Sequence, residues 1–320
     1  MFKTRFTEFF GVDHPIIGGC LLWISTPEFV AAISNAGALG VMPSANCKTQ
    51  EEFRDAIQKL KSLTDKPFGV NLSLFPALRP LDNELYLQVI LEEGVSIVET
   101  SGHKPPESLL ARLQEAGVKT MHKCSSLQHA QSAERAGVDA VTVFGSEGGG
   151  HIGSLGLTTM ILVPVAADNL DIPVLAAGGI ADGRGLLAAL SLGAEGVTLG
   201  TRLMVTDESP IHSNIKKAFV AAKETDTQPI LSSLHNTLRV WKNQPALKVA
   251  ELEAQKAGME EILSIVSGKK TMRMIKEGDV DTGVISCSQS VGLMNDIKPV
   301  AQVIQDIVSE AAAIRDGLGK

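Results

Sequence analysis

A loose repeat runs along most of the chain and constrains its fold more than any other feature. In each copy a helical pattern ends at a glycine and a short apolar run follows. The five copies are NAGALGVMPS (35–44), EEGVSIVETSG (92–102), EAGVKTMHKC (115–124), RAGVDAVTVFGS (135–146) and LGAEGVTLGT (192–201). Glycine fits the position just after a helix, because it adopts the left-handed conformation there at little cost. The repeat therefore predicts alternating helices and strands.

Three more apolar runs complete the pattern, namely PIIGGC (15–20), PFGVNLSL (67–74) and PVLAAGG (173–179). Continuous apolar strands are typical of a parallel sheet that is buried on both faces. Eight strand–helix units in about 220 residues predict an α/β fold of the TIM (β/α)8 barrel type. A doubly wound dinucleotide-binding domain is disfavoured, because PIIGGCLLW lacks the GxGxxG that such a domain carries after its first strand.

The repeat stops near residue 220. Residues 221–296 are predicted to form helices and turns, and the segment VAQVIQDIVSEAAAIRDGL is an amphipathic helix that can return to the barrel. We therefore expect residues 1–220 and 297–320 to form the barrel. Residues 221–296 are expected to form a helical subdomain near its mouth.

Composition narrows the class of protein. The net charge is −7 and the chain has one Tyr and two Trp, so nucleic acid is not an expected partner.

The sequence also indicates where the protein is found in the cell. No apolar run is long enough to cross a membrane, and the N-terminal segment lacks the core of a signal peptide. The four cysteines lie far apart without the spacing of metal ligands, which indicates reduced thiols and no metal site. We expect a cytoplasmic protein that acts on a small molecule, and the sequence leaves a homodimer open.

Glycines follow the seventh and eighth predicted strands, where barrels of this kind commonly bind phosphate. The segments in which these two strands end are AAGGIADGRG (176–185) and LGTRL (199–203). Bare amides at Gly178, Gly179 and Gly200 near a helix N-terminus favour an anion, and the Thr201 hydroxyl can join them. The alternative is that the AGG sequence only turns a strand into a helix.

Polar residues end other predicted strands. Asn71 and Ser73 lie on the third and Lys123 on the fifth, while His122 alternates with Lys123 and is expected to point away from the lumen. The loop GSEGGGHIG (145–153) follows the sixth strand. We expect its glycines to let a cofactor or substrate lie against the backbone, with His151 exchanging protons near neutral pH. A tight turn that holds a structural histidine is the alternative.

This combination resembles the nitronate monooxygenase family (2-nitropropane dioxygenases), which are FMN-dependent TIM-barrel oxidoreductases. The segments that carry the resemblance are TRFTEFFGVDHPI, KPFGVNL, GGGHIG, IPVLAAGGIADGRGLLAALSLGAEGVTLGTRL and GDVDTG. The resemblance implies His151 as the acid or base on the substrate side. It implies that the following residues bind FMN: Cys20, Leu21, Asn71, Ser73, Lys123, Gly149, Gly150, Ala177, Gly178, Gly179, Gly200 and Thr201. The family's Gln-Gly-Gly-Met is replaced here by Gly18-Gly19-Cys20-Leu21, which puts a thiol beside the expected flavin.

The resemblance leaves the reaction open. A nitronate monooxygenase oxidises alkyl nitronates with O2, and Lys123 and His151 would then help hold the anion. A quinone reductase takes hydride from NADH or NADPH, and VKTMHKC and LFPALRP look most like this subgroup. The stretch GGHIGSLGLTTM is similar to the FMN-dependent enoyl-ACP reductases, which share the barrel and should meet an acidic carrier protein through a basic patch. Arg79, Lys216, Lys217 and Lys223 are the candidates for that patch, and the alternative is that they form an ordinary solvated face. A phosphate-binding barrel without flavin, either an isomerase or a ligand binder, is the alternative from another class.

Overall fold

The computed structural model describes residues 2–74, 82–102, 105–153, 155–234 and 236–318. Eight parallel strands close into a barrel in the order β1-β2-β3-β4-β5-β6-β8-β9, which confirms the predicted TIM barrel. All eight predicted strands are present. The eight barrel strands are β1 (Ile16–Gly18), β2 (Leu39–Pro43), β3 (Phe68–Ser73), β4 (Ile97–Ser101), β5 (Lys119–Cys124), β6 (Ala140–Phe144), β8 (Val174–Ala177) and β9 (Gly196–Leu199). A separate sheet consists of the short strands β7 (Gly150–His151), β10 (Thr227–Ile230) and β11 (Leu238–Trp241).

Helices cover the outside of the barrel and continue into the C-terminal part of the chain. They are α1 (Arg5–Phe10), α2 (Pro27–Asn35), α3 (Gln50–Leu63), α4 (Asn83–Glu92), α5 (Glu107–Glu115), α6 (Leu127–Arg135), α7 (Thr159–Ala167), α8 (Gly183–Ser191), α9 (Thr201–Met204), α10 (Ser213–Ala221), α11 (Gln244–Ala254), α12 (Met259–Ile265), α13 (Gly268–Glu277) and α14 (Val300–Leu318). The last helix packs against α8 and α2, so the chain returns to the barrel as predicted. No helix in the described ranges is both long and apolar enough to cross a membrane.

The glycines of the repeat end helices as the sequence predicts. Gly37, Gly94, Gly117, Gly137 and Gly193 all have positive φ, between 62° and 95°. Each one follows the last turn of a helix and precedes a barrel strand. A side chain is disfavoured in this conformation, so the repeated glycine reports the end of each helix directly.

Side chains alternate between the barrel lumen and the layer between strands and helices. The lower lumen is packed with apolar residues such as Ile17, Val41 and Met121, and Phe6 and Phe10 of α1 close its N-terminal end. The upper lumen is polar. This division places the polar side chains of the strands at the C-terminal rim, where barrels of this kind carry their sites.

The segment 221–296 contains more than the helices and turns that the sequence predicted. Strands β10 and β11 pair antiparallel with each other, and β11 also pairs with the two-residue β7 of the barrel's own loop. Apolar residues including Ile230, Val240 and Val249 form a small core of their own. The strands were missed because they are four residues long and one contains a proline. The division into barrel and subdomain stays a prediction.

Candidate functional site

The predicted site residues come from different strands but share one rim of the barrel. Asn71 and Ser73 lie at the end of β3 and Lys123 lies at the end of β5. Gly178 and Gly179 follow β8, and Gly200 follows β9. A β-carbon built on Gly200 would lie 3.7 Å from Leu21 Cδ2, so the loop after β1 reaches the same rim.

A charged and polar cluster fills the lumen just below this rim. We call it the lumen cluster, and it consists of Asn71, Glu99, Ser101 and Lys123. Asn71 Nδ2 donates to Glu99 Oε1 at 2.7 Å and to Ser101 Oγ at 3.3 Å. Lys123 Nζ lies 3.5 Å from the same Glu99 oxygen. Lys123 is therefore an ammonium that is ion-paired with Glu99.

Burial and charge act in opposite directions on Lys123. Burial tends to lower its pKa, whereas the charge of Glu99, the Cys20 thiol and the hydrogen bond to Glu99 raise it. The net effect is a pKa above the ordinary value. The pKa of the Cys20 thiol is raised as well, to about 12, because burial disfavours the thiolate more than Lys123 stabilises it. The thiol beside the site is thus protonated at neutral pH and is a poor nucleophile.

Three buried side-chain oxygens of the barrel strands have no hydrogen-bond partner among the described residues. They are Glu99 Oε2, Thr142 Oγ1 and Thr198 Oγ1. Thr142 is the direct neighbour of Lys123 across β5 and β6. Unpartnered buried polar atoms are costly and each one calls for a ligand or water.

The glycines after β8 and β9 form an open cradle of backbone donors. The hydrogen bonds among the described residues leave the amides of Gly178, Gly179 and Gly200 without an acceptor. Gly178 and Gly179 have φ of +102° and +75°, conformations that side chains disfavour. This glycine cradle (Gly178, Gly179 and Gly200) fits an anion such as a phosphate. Together with the unpartnered oxygens of the lumen, it fits a ligand that carries both a phosphate and a polar ring.

Two other predicted phosphate contacts are already engaged. Thr201 Oγ1 accepts a hydrogen bond from the Ser288 amide at 2.9 Å, and its hydroxyl proton is still available to a ligand. Ala177 is fully buried, and its carbonyl accepts bonds from the Gly145 amide and the Thr159 hydroxyl. Ala177 therefore holds the loop after β6 in place.

The glycine loop (residues 145–153) has a structural reason for most of its glycines. A β-carbon at Gly145 would lie 2.1 Å from Thr159 Oγ1, and one at Gly149 would lie 2.6 Å from the Cys287 carbonyl carbon. Gly150 has φ of +98°, and a β-carbon there would lie no closer than 3.8 Å to its nearest neighbour, Ser286 Oγ. The missing side chains let the loop pack closely against neighbouring residues of the chain. Gly150 is the glycine of this loop whose backbone a ligand can approach.

His151 is positioned by the second sheet. It lies on β7 and is the register partner of Leu238 on β11, while Gly150 pairs with Arg239. Desolvation by the surrounding protein lowers the pKa of His151, and the positive charge of Lys123 acts in the same direction. The imidazole is thus mainly neutral at pH 7 and is suited to accept a proton.

A segment that the sequence analysis did not single out connects these parts. We call residues 286–290 the SCSQS segment. The Ser288 hydroxyl and the Gln289 amide both donate to the Glu147 carbonyl, at 2.8 and 3.0 Å. The Ser288 amide donates to Thr201, so the segment joins the glycine loop to the phosphate side of the rim. Glu99 of the lumen cluster was missed as well. It shares a face of β4 with Ser101, and the structure places both in the lumen, where they contact Asn71.

The loop after β1 departs from the family pattern for a visible reason. A β-carbon at Gly18 would lie 2.6 Å from Ile33 Cδ1, so a glutamine there requires Ile33 to move.

Trp23, in the same loop, has φ of +63°, which is rare for a bulky residue. Its amide donates to Asn46 Oδ1 at 2.6 Å, and its ring lies against Gly268 at the start of α13. Trp23 therefore links the barrel rim to the C-terminal helices.

His122 points away from the lumen, as predicted, since it is buried and its Nδ1 lies 2.9 Å from the Thr100 hydroxyl.

The candidate basic patch is wrong for Lys216, which is buried and donates a hydrogen bond from its ammonium group to the Asp207 carbonyl. Burial of the ammonium leaves it unable to meet a carrier protein. Arg79 and most of the LFPALRP segment lie outside the described residues.

The closed barrel, its glycine cradle and the histidine at the rim define a TIM-barrel protein with a site that fits a phosphate group. The chain belongs to the nitronate monooxygenase family, whose family model matches residues 3–310. It is an oxidoreductase, as that family and its dehydrogenase-named relatives indicate.

Individual relatives carry different names. A protein of Rhodococcus jostii named (3aS,4S,5R,7aS)-5-hydroxy-7a-methyl-1-oxo-octahydro-1H-indene-4-carboxyl-CoA dehydrogenase is 34% identical, over 99% of this chain and 98% of its own. A probable nitronate monooxygenase of Staphylococcus aureus is 34% identical over 70% of this chain and 74% of its own. The structure of FabK from Thermotoga maritima is 37% identical, covers 99% of both chains and superposes with a TM-score of 0.92.

Proposed function

We propose that this chain is an FMN-dependent oxidoreductase whose substrate-side acid or base is His151. The observation that carries the proposal is the glycine cradle, with three amides free to bind a phosphate beside the polar lumen cluster. The family supports FMN as the phosphate-bearing ligand. When bound, FMN supplies two-electron redox chemistry between a donor and an acceptor.

The residues divide the work of binding along the rim. The amides of Gly178, Gly179 and Gly200 would hold the phosphate, with Thr201 as a further donor. Asn71, Ser73 and Lys123 would hold the polar edge of the ring, and Cys20, Leu21 and Gly150 would lie against it. Gly149 and Ala177 would act through packing, because the structure fills the space around them with protein.

His151 and Lys123 favour a substrate whose reacting group is uncharged. In a nitronate monooxygenase both residues would be expected to help hold the nitronate anion. Lys123 is balanced by Glu99, and the pKa of His151 is lowered, so neither brings an uncompensated positive charge to the rim at pH 7. A neutral imidazole suits proton abstraction next to a carbonyl, and it returns that proton when the reaction runs in the reducing direction.

We therefore propose an acyl thioester as the substrate class, with NADH or NADPH as the electron donor in the reducing direction. The relative from Rhodococcus jostii, which matches this chain over nearly its whole length, supports this choice because it is named a carboxyl-CoA dehydrogenase. Nitronate oxidation with O2 is the second candidate, and the staphylococcal relative named a probable nitronate monooxygenase supports it. Quinone reduction by NAD(P)H is tested in the same experiment.

Anaerobic half-reactions separate these candidates. FMN-loaded protein is mixed with NADH, NADPH or an alkyl nitronate, and the visible absorbance of the flavin is followed. Bleaching by a nicotinamide, followed by reoxidation with crotonyl-CoA but not with a quinone, supports the thioester proposal. Bleaching by nitronate alone contradicts it and supports the monooxygenase.

A matched variant tests the role of His151. His151→Gln keeps a polar side chain of similar size at the rim and removes the group that titrates near neutral pH. We expect FMN affinity to stay within about twofold and turnover to fall by about 10²-fold or more, the usual contribution of general acid–base catalysis.

Uptake of FMN by the native protein tests the alternative from another class. Purified native protein that takes up no FMN at all would favour the flavinless phosphate-binding barrel.

A further inference from the structure

Glu99 is a buried charged residue to which the proposed function gives no task. Its side chain is 1% exposed and lies in the barrel lumen on β4. Burying a carboxylate is costly unless partners compensate it, and an apolar residue of similar size would pack there at less cost. A residue kept under these conditions calls for a specific role.

The contacts of Glu99 determine how its neighbours are oriented. A carboxylate only accepts hydrogen bonds, so Asn71 must turn its Nδ2 group toward Glu99 Oε1, at 2.7 Å. The second proton of that Nδ2 group is directed at Ser101 Oγ, at 3.3 Å. Both donors of the Asn71 amide are thereby used. Its oxygen, Oδ1, has no donor among the hydrogen bonds of the described residues and is the group left for a ligand.

The same oxygen of Glu99 also holds Lys123. Because Asn71 Nδ2 and Lys123 Nζ meet one carboxylate oxygen, an acceptor (Asn71 Oδ1) and a donor (Lys123 Nζ) are kept side by side. Glu99 also balances the charge of Lys123, so the donor is present without a net positive charge. Lys123 can thus bind a carbonyl oxygen without attracting free anions strongly.

We propose that Glu99 is a positioning residue that sets this acceptor–donor pair for an imide edge, an N–H group beside a carbonyl. The pyrimidine edge of a flavin has this pattern, and only this choice of ligand rests on the proposed function. A purely structural ion pair is the competing explanation. It would stabilise the barrel without affecting which ligand edge is bound.

Glu99→Gln is the most informative variant. The glutamine oxygen can still accept from Asn71, but the charge that holds Lys123 is lost. Glu195→Gln is the matched control, because Glu195 pairs with Arg5 away from the rim. If Glu99→Gln does not fold, Glu99→Asp keeps the charge on a shorter side chain and takes its place.

Binding of FMN and of 3-methyl-FMN, which lacks the imide N–H, gives the decisive readout. The Kd of each is measured by quenching of flavin fluorescence. We expect the native protein to prefer FMN by about tenfold or more, as for one lost hydrogen bond to a buried partner. In Glu99→Gln this preference should fall toward 1, and in Glu195→Gln it should be unchanged. A preference that survives in Glu99→Gln overturns the proposal in favour of a structural ion pair.

Titration of Lys123 in the protein without FMN keeps the test independent of the cofactor. The pKa of Lys123 is measured by NMR with labelled lysine. Loss of Glu99 should lower it, because burial then acts without the opposing charge. An unchanged titration contradicts the claim that Glu99 holds Lys123. If native protein binds no FMN, the proposed function fails, and this titration still decides whether Glu99 holds Lys123.

Discussion

The backbone amide of Ser288 donates a 2.9 Å hydrogen bond to the side-chain oxygen of Thr201. These residues are 87 positions apart in the chain. Through Ser288 the phosphate side of the rim is bonded to the glycine loop, because the Ser288 hydroxyl holds the Glu147 carbonyl at 2.8 Å. The SCSQS segment therefore contacts both halves of the proposed site.

Removal of the Ser288 hydroxyl should disturb both halves. Ser288→Ala leaves the Glu147 carbonyl with only the Gln289 amide, and it takes an acceptor from the Ser290 amide. We expect the free energy of unfolding to fall by about 1–2 kcal/mol, typical of a buried hydrogen bond that is lost with one partner left behind. Urea unfolding measures this, and the exposed Ser264→Ala on α12 serves as control with a change within about 0.5 kcal/mol. Equal changes in the two variants would contradict a role for the Ser288 hydroxyl.

The glycine cradle can be tested with a control of the same backbone conformation. Gly179→Ala and Gly94→Ala both place a methyl group at positive φ, +75° and +62°, and each should cost about 1 kcal/mol of stability. Gly94 has open space around it and lies away from the rim. We expect only Gly179→Ala to weaken FMN binding, by about tenfold, as measured by fluorescence quenching. Equal FMN affinity in both variants would remove Gly179 from the cradle.

The pKa of His151 should lie below its ordinary value of 6.5. NMR titration of the imidazole C–H signals measures it directly. Lys123→Met removes one of the two causes and should raise the pKa of His151, whereas Lys123→Arg keeps the charge and should leave it low. A pKa of His151 above 6.5 in the native protein would contradict the assignment of a neutral imidazole at pH 7.

His122 should make the protein sensitive to acid. Burial is the main cause that lowers its pKa to about 4, with smaller effects from His129 and Lys123. Because the unfolded chain binds this proton near pH 6.5, stability is highest above that value and is lost as the pH falls toward 4. The expected loss is about 3 kcal/mol between pH 7 and 4.

Replacement of His122 isolates this contribution. His122→Asn lacks a titrating group, and urea unfolding between pH 7 and 4 should show a shallower loss of stability than in the native protein. Some stability is lost at all pH values, since the buried contact with Thr100 changes. If the two pH profiles are parallel, His122 is not the source of the acid sensitivity.

The barrel was predictable from the sequence because its signal is local and repeated. Each glycine such as Gly37 or Gly137 marks the end of a helix through its own backbone conformation, and the strand follows within a few residues. The rim positions of Asn71 and Lys123 follow from the same pattern, since the ends of parallel strands meet at one edge.

The partners of those residues were less predictable. Glu99 lies within a run that was counted as an apolar strand, and nothing local distinguishes a lumen carboxylate from a solvated one. Its register opposite Asn71 on β3 is a property of the closed barrel. The contacts of Ser288 depend on the path of the chain over the 87 positions that separate it from Thr201, which no short motif encodes.

Pairing between β7 and β11 has a consequence for how relatives of this chain can diverge. The strand that carries His151 owes its hydrogen bonds to residues 238 and 239, and Arg239 Nε donates to the Ser146 carbonyl at 2.9 Å. Neither segment can be exchanged alone between two relatives without leaving unpaired backbone at the rim. The two segments should therefore be inherited as one unit, and chimaeras that transplant only the barrel loop should lose the geometry of the histidine.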